Sequence, residues 1–271
     1  EVKDLCLFLI FLWVSLNCLA HVASKPIRIR RTMIDKKYTN CLEKIRKDRE
    51  KNADDDLIDY RKLQNLIRAH NLQVNMAYSE IEHGIMGYIT QVFHHTDSLE
   101  DFHKIWSWRN IDWLHGKNKM PKELGEEVSE EYREILCSKD WSKSDTLLTQ
   151  FEIMYDKYRR LDVGIAAIVN YYEHNPAVKN QSNILTFIKR LQDKLKDILR
   201  TLHDVLEALN YDMASFEASN SNTLPTEYVI KDKPDLDNWV ILREYMNTLE
   251  LYTVELCIIE KQMLGSSENC P

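Results

Sequence analysis

SNILTFIKRLQDKLKDILRTLHDVLEALNYDM, residues 182–213, is the stretch that decides the fold. Its apolar residues Ile184, Ile188, Leu191, Leu195, Ile198, Leu202, Val205 and Leu209 recur in alternating three- and four-residue steps, with nothing polar breaking the series. Steps of that size put side chains on one face of an α-helix. Lys, Arg and Asp recur between them, and Ser182 or Asn183 is placed to cap the start. A helix with one long apolar stripe is stable only against partners that cover the stripe.

Three further stretches offer such a surface. Before this helix, Leu147, Phe151, Met154, Tyr158, Leu161, Ile165, Ile168 and Tyr172 form a stripe that begins near Ser144 and Asp145 and is stopped by Asn175-Pro176. Earlier still, Tyr60, Leu63, Ile67, His70, Val74, Ala77, Ile81, Ile85, Tyr88 and Val92 follow three aspartates at 54–56, with Gly84 and Gly87 read as a bend. The last stripe, Trp239, Leu242, Tyr245, Leu249, Tyr252, Leu256, Ile259 and Met263, follows Asp235 and Asp237 and ends at Gly265. Burying each such side chain contributes on the order of 1.5 to 3 kcal/mol, so four stripes together offset much of the ordering entropy.

Connection lengths constrain how the four helices are arranged. Residues 175–183 reach only about 30 Å, so the second and third helices should be antiparallel neighbours. Residues 96–143 and 213–234 are long enough to travel the length of a helix and bring the next one in parallel. The expected fold is all-α: a long-chain four-helix bundle, up-up-down-down, with two long crossover connections. The first crossover has room for a fifth helix over residues 126–136.

Composition narrows the function. Six glycines and six prolines in 271 residues are too few for a many-stranded β protein, and a formal net charge of -7 leaves no surplus of cations for a nucleic-acid ligand. Lys3, an apolar run over 5–16 and the small residues Ala20, Ala23 and Ser24 have the layout of a secretory leader. The expected organisation is a signal peptide over 1–23, an N-terminal extension over 24–53 and a helical domain over 54–271. No second apolar stretch is long enough to span a bilayer, so no membrane insertion is expected once the leader is removed. Arg28-Ile29-Arg30-Arg31 has the form of a dibasic processing site.

Of six cysteines, Cys6 and Cys18 fall in the leader, leaving Cys41, Cys137, Cys257 and Cys270. An even number in an exported chain suggests one or two disulfides, with Cys41 to Cys137 as the preferred pair. Asn180-Gln181-Ser182 is an N-glycosylation sequon in a connecting loop.

Catalytic and metal chemistry finds little footing. His70, His83, His94, His95, His103, His115, His174 and His203 occur in no ligand spacing such as HExxH, and no P-loop, GxGxxG or nucleophile elbow is present. Adjacent His94 and His95 point about 100 degrees apart on a helix. The chain is read as a non-enzyme without cofactor or metal. Trp106, Trp108, Trp113 and Trp141 cluster in and just after the first crossover, either as a lid on the core or as exposed anchors for a partner.

At the second, third and fourth helices the residues resemble one family. TQFEIMYDKYRRLDVGIAAIVNYY (149–172), ILRTLHDVLEALNYDM (198–213) and NWVILREYMNTLELYTVELCIIEKQM (238–263) are similar, in order, to helices B, C and D of the cardiotrophin-like and ciliary neurotrophic cytokines, of the interleukin-6 type. The resemblance implies a secreted ligand that cross-links cell-surface receptor ectodomains of the interleukin-6 receptor class, with room for a secreted co-factor or soluble receptor. The family meets one receptor through an aromatic-x-x-Lys motif before helix D, matched by Tyr228-Val229-Ile230-Lys231, with Trp239 following. Its α-receptor surface uses an Arg and an Asp on helix D; Leu251 and Glu255 stand there, so only the acid is kept in type. The implied receptor-binding residues are Tyr228, Lys231, Trp239 and Glu255. Two other readings share the composition: a secreted helical carrier of an apolar small ligand, and a secreted helical effector that cross-links no receptor.

Overall fold

A computed structural model describes residues 60–106, 109–115, 135–136, 138–178, 180–214, 225, 227–230 and 233–264. All belong to the larger of two compact units, Cys41–Pro271. The expected leader, the 24–53 extension, the Arg28 to Arg31 site, Cys41, Cys137 and Lys231 lie outside the described residues.

The described chain is all-helical. Its helices are α1 (Tyr60–Phe93), α2 (Leu99–Trp106), α3 (Asp112–His115), α4 (Ser144–His174), α5 (Gln181–Ala208) and α6 (Pro234–Leu264). No helix among the described residues is long and apolar enough to cross a membrane.

The four long helices coincide with the four stripes, and the stripes form the core. Leu147, Phe151, Met154, Tyr158, Leu161, Ile165, Ile168 and Tyr172 on α4 are all fully buried, as are Ile188, Leu191, Leu195, Ile198, Leu202 and Val205 on α5. The helix ends differ in detail from expectation. α5 starts two residues earlier, after Asn180 in the left-handed region at φ 60, so the cap position is Asn180 rather than Ser182 or Asn183. It ends on Asn210 at φ 57, where Asn210 N–H donates to Glu207 O (2.9 Å) and Tyr211 N–H to Leu206 O (3.0 Å). Those two bonds satisfy carbonyls the last turn leaves open, and Asn takes the left-handed position that glycine often fills. α6 begins on Pro234, whose fixed φ and missing N–H suit a first helical residue, and Asp235 and Asp237 fall in its first turn.

α1 packs against α5 and α6, and so does α4. Along α1, His70 meets Thr201 (3.0 Å), Glu80 meets Arg190 (3.2 Å) and Gly84 meets Phe187, so α5 runs antiparallel to it. Gln64 Nε2 donates to Met263 O (2.8 Å) and Asn71 Nδ2 to Glu260 (2.8 Å), which sets α6 antiparallel to α1 as well. From α4, Gln181 and Lys189 on α5 are reached by Tyr172 O (2.7 Å) and Glu173 (2.7 Å). Gln150, Lys157 and Gly164 of α4 face Glu255, Glu244 and Ile241 of α6 in descending order. Gly84 serves as a notch: a Cβ built there would lie 2.1 Å from the Phe187 ring.

α6 is buried around its circumference. From Leu236 to Met263 only Asn247, Glu250, Cys257 and Glu260 are even half-exposed, although Asn238, Thr248, Thr253, Glu255, Lys261 and Gln262 are polar. The helices found in the described part of the first connection are α2 and α3; of the fifth helix expected over 126–136, only residues 135 and 136 are described, and both are helical.

Candidate functional site

The site gathers where α6 begins. Asp237 is 5 % exposed and accepts a hydrogen bond from Arg109 Nη2 (2.8 Å), which comes from the turn between α2 and α3. Tyr228, just ahead of α6, lays its ring against Trp113 of α3, with centroids 5.2 Å apart, and its hydroxyl makes a long hydrogen bond to Asp237 (3.4 Å). Tyr228 and Trp113 are both half-buried, and Val229 beside them is 52 % exposed. Of the sequence-derived motif, the aromatic residue therefore has a defined seat, made by a segment more than a hundred residues earlier; Lys231 lies outside the described residues.

The segment carrying Trp113 is held from below by buried cations. Arg243 of α6 donates to Trp106 O (3.0 Å) and Arg109 O (2.9 Å). Lys157 of α4 donates to Leu114 O (2.9 Å), and Arg160 donates to Trp113 O (2.9 Å). A buried cation is costly unless paired, and each of these has a carboxylate too: Glu244 lies 3.4 Å from Lys157 and 3.5 Å from Arg243, while Asp156 takes two bonds from Arg160. Burial lowers the pKa of the Lys157 ammonium and of the Arg243 guanidinium, and Glu244 opposes both shifts. Phe102 of α2 completes the attachment, packing edge-on against Trp239 at 4.8 Å and at a tilt against Phe93 at 4.9 Å.

Two implied receptor contacts are corrected. Trp239 is fully buried beneath Phe102, so it anchors the α1 to α4 connection instead of facing a partner. Glu255, implied as a receptor contact, is 0 % exposed and accepts from Gln150 Nε2 at 2.8 Å. Gln150 in turn accepts from Lys139 Nζ (3.0 Å). Leu251, at the other α-receptor position, is buried as well. A partner cannot reach either side chain in this arrangement.

The tryptophans divide between the two readings. Trp141 is fully buried, its indole N–H donating to Leu136 O (2.9 Å), and acts as a core lid. Trp106 and Trp113 stay half-exposed. Asn180, the sequon asparagine, is exposed on the loop before α5. Cys257 is disulfide-bonded, and every other cysteine of the chain lies outside the described residues.

Sequence reasoning missed Arg109, Lys157, Arg160 and Arg243. A signal existed for Lys157: it sits three residues after Met154 and four before Leu161, on the shoulder of the α4 stripe, where a charge must either bend outward or find a buried partner. For Arg109 and Arg243 the partner is backbone carbonyl or a distant acid, which spacing does not reveal.

Metal and ligand chemistry has two places to look. His203, Asp204 and Glu207 bring ligand atoms within 4.8 Å of one another on the solvent face of α5, all three exposed. Among the described residues, two open grooves lie on the surface: one of about 360 Å³ beside Arg61, Lys62, Asn65 and Leu66, and one of about 340 Å³ between α1 and α5 beside Met76, Ser79, Glu80, His83 and Lys194. Neither lining includes a residue of the core. Compared with protein-family models, with curated proteins and with solved structures, the chain gives no match.

Proposed function

We propose that this chain is a secreted cytokine of the interleukin-6 type that binds and cross-links receptor ectodomains, built as a long four-helix bundle with up-up-down-down topology. The observation that carries the reading is the order of neighbours. α1 and α4 each pack against both α5 and α6, with pairs along α1 and α6 and along α4 and α6 running in opposite senses, while the chain passes from α1 to α4 and from α5 to α6 through the long connections 94–143 and 209–233. Parallel placement of successive helices demands such connections, and a simple up-down bundle has no use for them.

The surface best suited to a receptor is the plate made by Trp113 and Tyr228 with exposed Val229. A half-buried aromatic pair whose Tyr228 hydroxyl is tied to Asp237 gives an apolar anchor, the kind of contact that dominates protein interfaces. Buried Leu251 and Glu255 speak for a receptor set that differs from the one the resemblance implies. The carrier reading draws less support, because the stripes of α4, α5 and α6 meet with side chains at or near zero exposure.

The test is capture of purified cytokine-receptor ectodomains by the mature protein, followed by receptor phosphorylation on treated cells. Binding of two different ectodomains is expected; failure to bind any would overturn the reading. Native mass spectrometry separates the alternative, since a stoichiometric small molecule would favour a carrier.

A further inference from the structure

Residues 109–111, which lead into α3, belong to no helix or strand. α3 is a single turn, and Arg109 N–H to Trp106 O (3.2 Å) and Leu114 N–H to Ile111 O (3.0 Å) are the backbone bonds that close the turns here. Carbonyls in such a stretch must find donors elsewhere when buried. Four of them, at residues 106, 109, 113 and 114, are met by side chains rooted in α4 and α6, all at 2.9 to 3.0 Å. Those side chains are Lys157, Arg160 and Arg243, each under 5 % exposed.

We propose that Lys157, Arg160 and Arg243 are positioning residues: they clasp the backbone of the 106–114 stretch from the core side and so hold Trp113 against Tyr228 as a preordered contact plate for a protein partner. The identity of that partner as a receptor rests on the function proposed above; the clasp itself does not.

The chemistry fits this role better than plain core packing. An apolar side chain would fill the same space without fixing backbone direction. A guanidinium presents its donors in a planar fork, and Arg243 uses it to hold two carbonyls of one turn at a fixed separation. The charges facing this seam are Lys157, Arg160, Arg243 and Arg109 against Glu244, Asp156 and Asp237. Beside these acids, the four backbone carbonyls accept from Lys157, Arg160 and Arg243. Arg109 then couples the clasp to the plate, because its backbone carbonyl is held by Arg243 while its side chain reaches Asp237, which also takes the Tyr228 hydroxyl. Ordering the plate before encounter lowers the entropy lost on binding.

The experiment compares the full mature chain with Arg243→Gln and Arg243→Lys, reading amide hydrogen exchange along the chain and affinity for whichever receptor ectodomain the wild type captures. In Arg243→Gln, exchange of amides 102–114 should rise by about tenfold or more while those of α5 stay protected, and affinity should fall by about tenfold. Arg243→Lys, which keeps the charge and one donor direction, should recover part of both. Unchanged exchange over 102–114, or an equal rise throughout α5, overturns the clasp. So does loosened 102–114 with full affinity, when Tyr228→Ala in parallel loses binding. If the wild type captures no ectodomain, the cytokine reading fails and the exchange pattern alone decides the clasp. Should Arg243→Gln not accumulate as folded protein, Lys157→Met removes one of the four carbonyl bonds and is read the same way.

Discussion

α5 and α6 are both long helices at the centre of the fold, yet they are built on opposite plans. α5 keeps one apolar stripe inside and turns Arg190, Lys196, Arg200, His203, Asp204 and Glu207 to solvent. α6 is buried on all sides and carries Asn238, Arg243, Glu244, Thr248, Glu255 and Lys261 with it into the interior. In α5 every polar residue obeys the helical period, so position alone says what it does. In α6 a polar residue is placed by a partner on another segment: Arg243 by the carbonyls of Trp106 and Arg109, Glu244 by Lys157, Glu255 by Gln150. The candidate site lies at α6 for that reason, since a helix that gathers side chains from several segments is where the chain can fix a surface.

The sharpest contrast is a charge reversal made in each helix. Glu255→Lys would set an ammonium against the Gln150 amide donor in a fully buried position, and breaking a buried charged contact costs about 3 to 5 kcal/mol. Glu207→Lys on the exposed face of α5 should change stability by less than about 0.5 kcal/mol. Chemical denaturation of the two variants measures both. Equal effects would mean that the difference between the helices is one of appearance only.

The same contrast explains what could be read in advance. The stripes of α4 and α5 were legible to the residue, because burial of apolar groups repeats with the helical period and needs no knowledge of the partner, whereas on α6 burial extends beyond the stripe to every side. The direction of each helix was partly legible through connection length. The interior role of Glu255 was not: its partner lies 105 positions away, and an acid on a helix is otherwise read as solvated. Tyr228 was found through a family motif, but its seat against Trp113 and its tie to Asp237 were not, because both depend on how the 99–115 segment folds back over α6. Gly84 was taken for a bend; its use as a notch for Phe187 depends on the register between α1 and α5.

His70 of α1, which faces the apolar side of α5, tests whether a polar group there behaves like those around α6. Its Nδ1 meets Thr201 Oγ1 at 3.0 Å, its ring lies edge-on to Phe151 and Tyr158, and full burial depresses its pKa from 6.5 to about 3. The unfolded chain takes up a proton at His70 below about pH 6.5, whereas the folded chain does so only near 3. Stability from neutral His70 is thus complete above pH 6.5 and is lost as pH falls toward 3, by about 1.4 kcal/mol per pH unit. Urea unfolding between pH 7 and 4 should show wild type losing stability more steeply than His70→Gln by that amount. Parallel curves would mean that His70 already gains a proton partner in the folded state.

Gly84→Ala probes the α1 to α5 seam on a smaller scale. Alanine in a helix interior normally gains roughly 0.5 to 1 kcal/mol over glycine, but here the new methyl would enter the Phe187 ring. Overpacking costs about 1 to 3 kcal/mol, so a net loss of about 1 kcal/mol is expected. Gly84→Ala combined with Phe187→Leu should recover part of it, and a thermal melt reads the difference.

The smallest effect on folding belongs to the residue expected to matter most outside it. Trp239 in the first turns of α6 and Tyr228 just ahead of it are both aromatic, but Trp239 is sealed under Phe102 whereas Tyr228 is half-exposed, its ring on Trp113 and its hydroxyl in a hydrogen bond as long as 3.4 Å. Truncating a buried Trp costs about 3 to 5 kcal/mol. A long bond to a partly solvated hydroxyl contributes little, so Tyr228→Ala should cost no more than about 1 kcal/mol and leave helicity unchanged. Surface plasmon resonance against a captured receptor ectodomain should nonetheless show at least about a tenfold loss of affinity, the size expected of an interface anchor. If affinity survives while stability drops, Tyr228 belongs with Trp239 as a prop for the 99–115 segment, and the partner surface must be sought on the exposed face of α1, where Leu72 and Met76 stand out of the core.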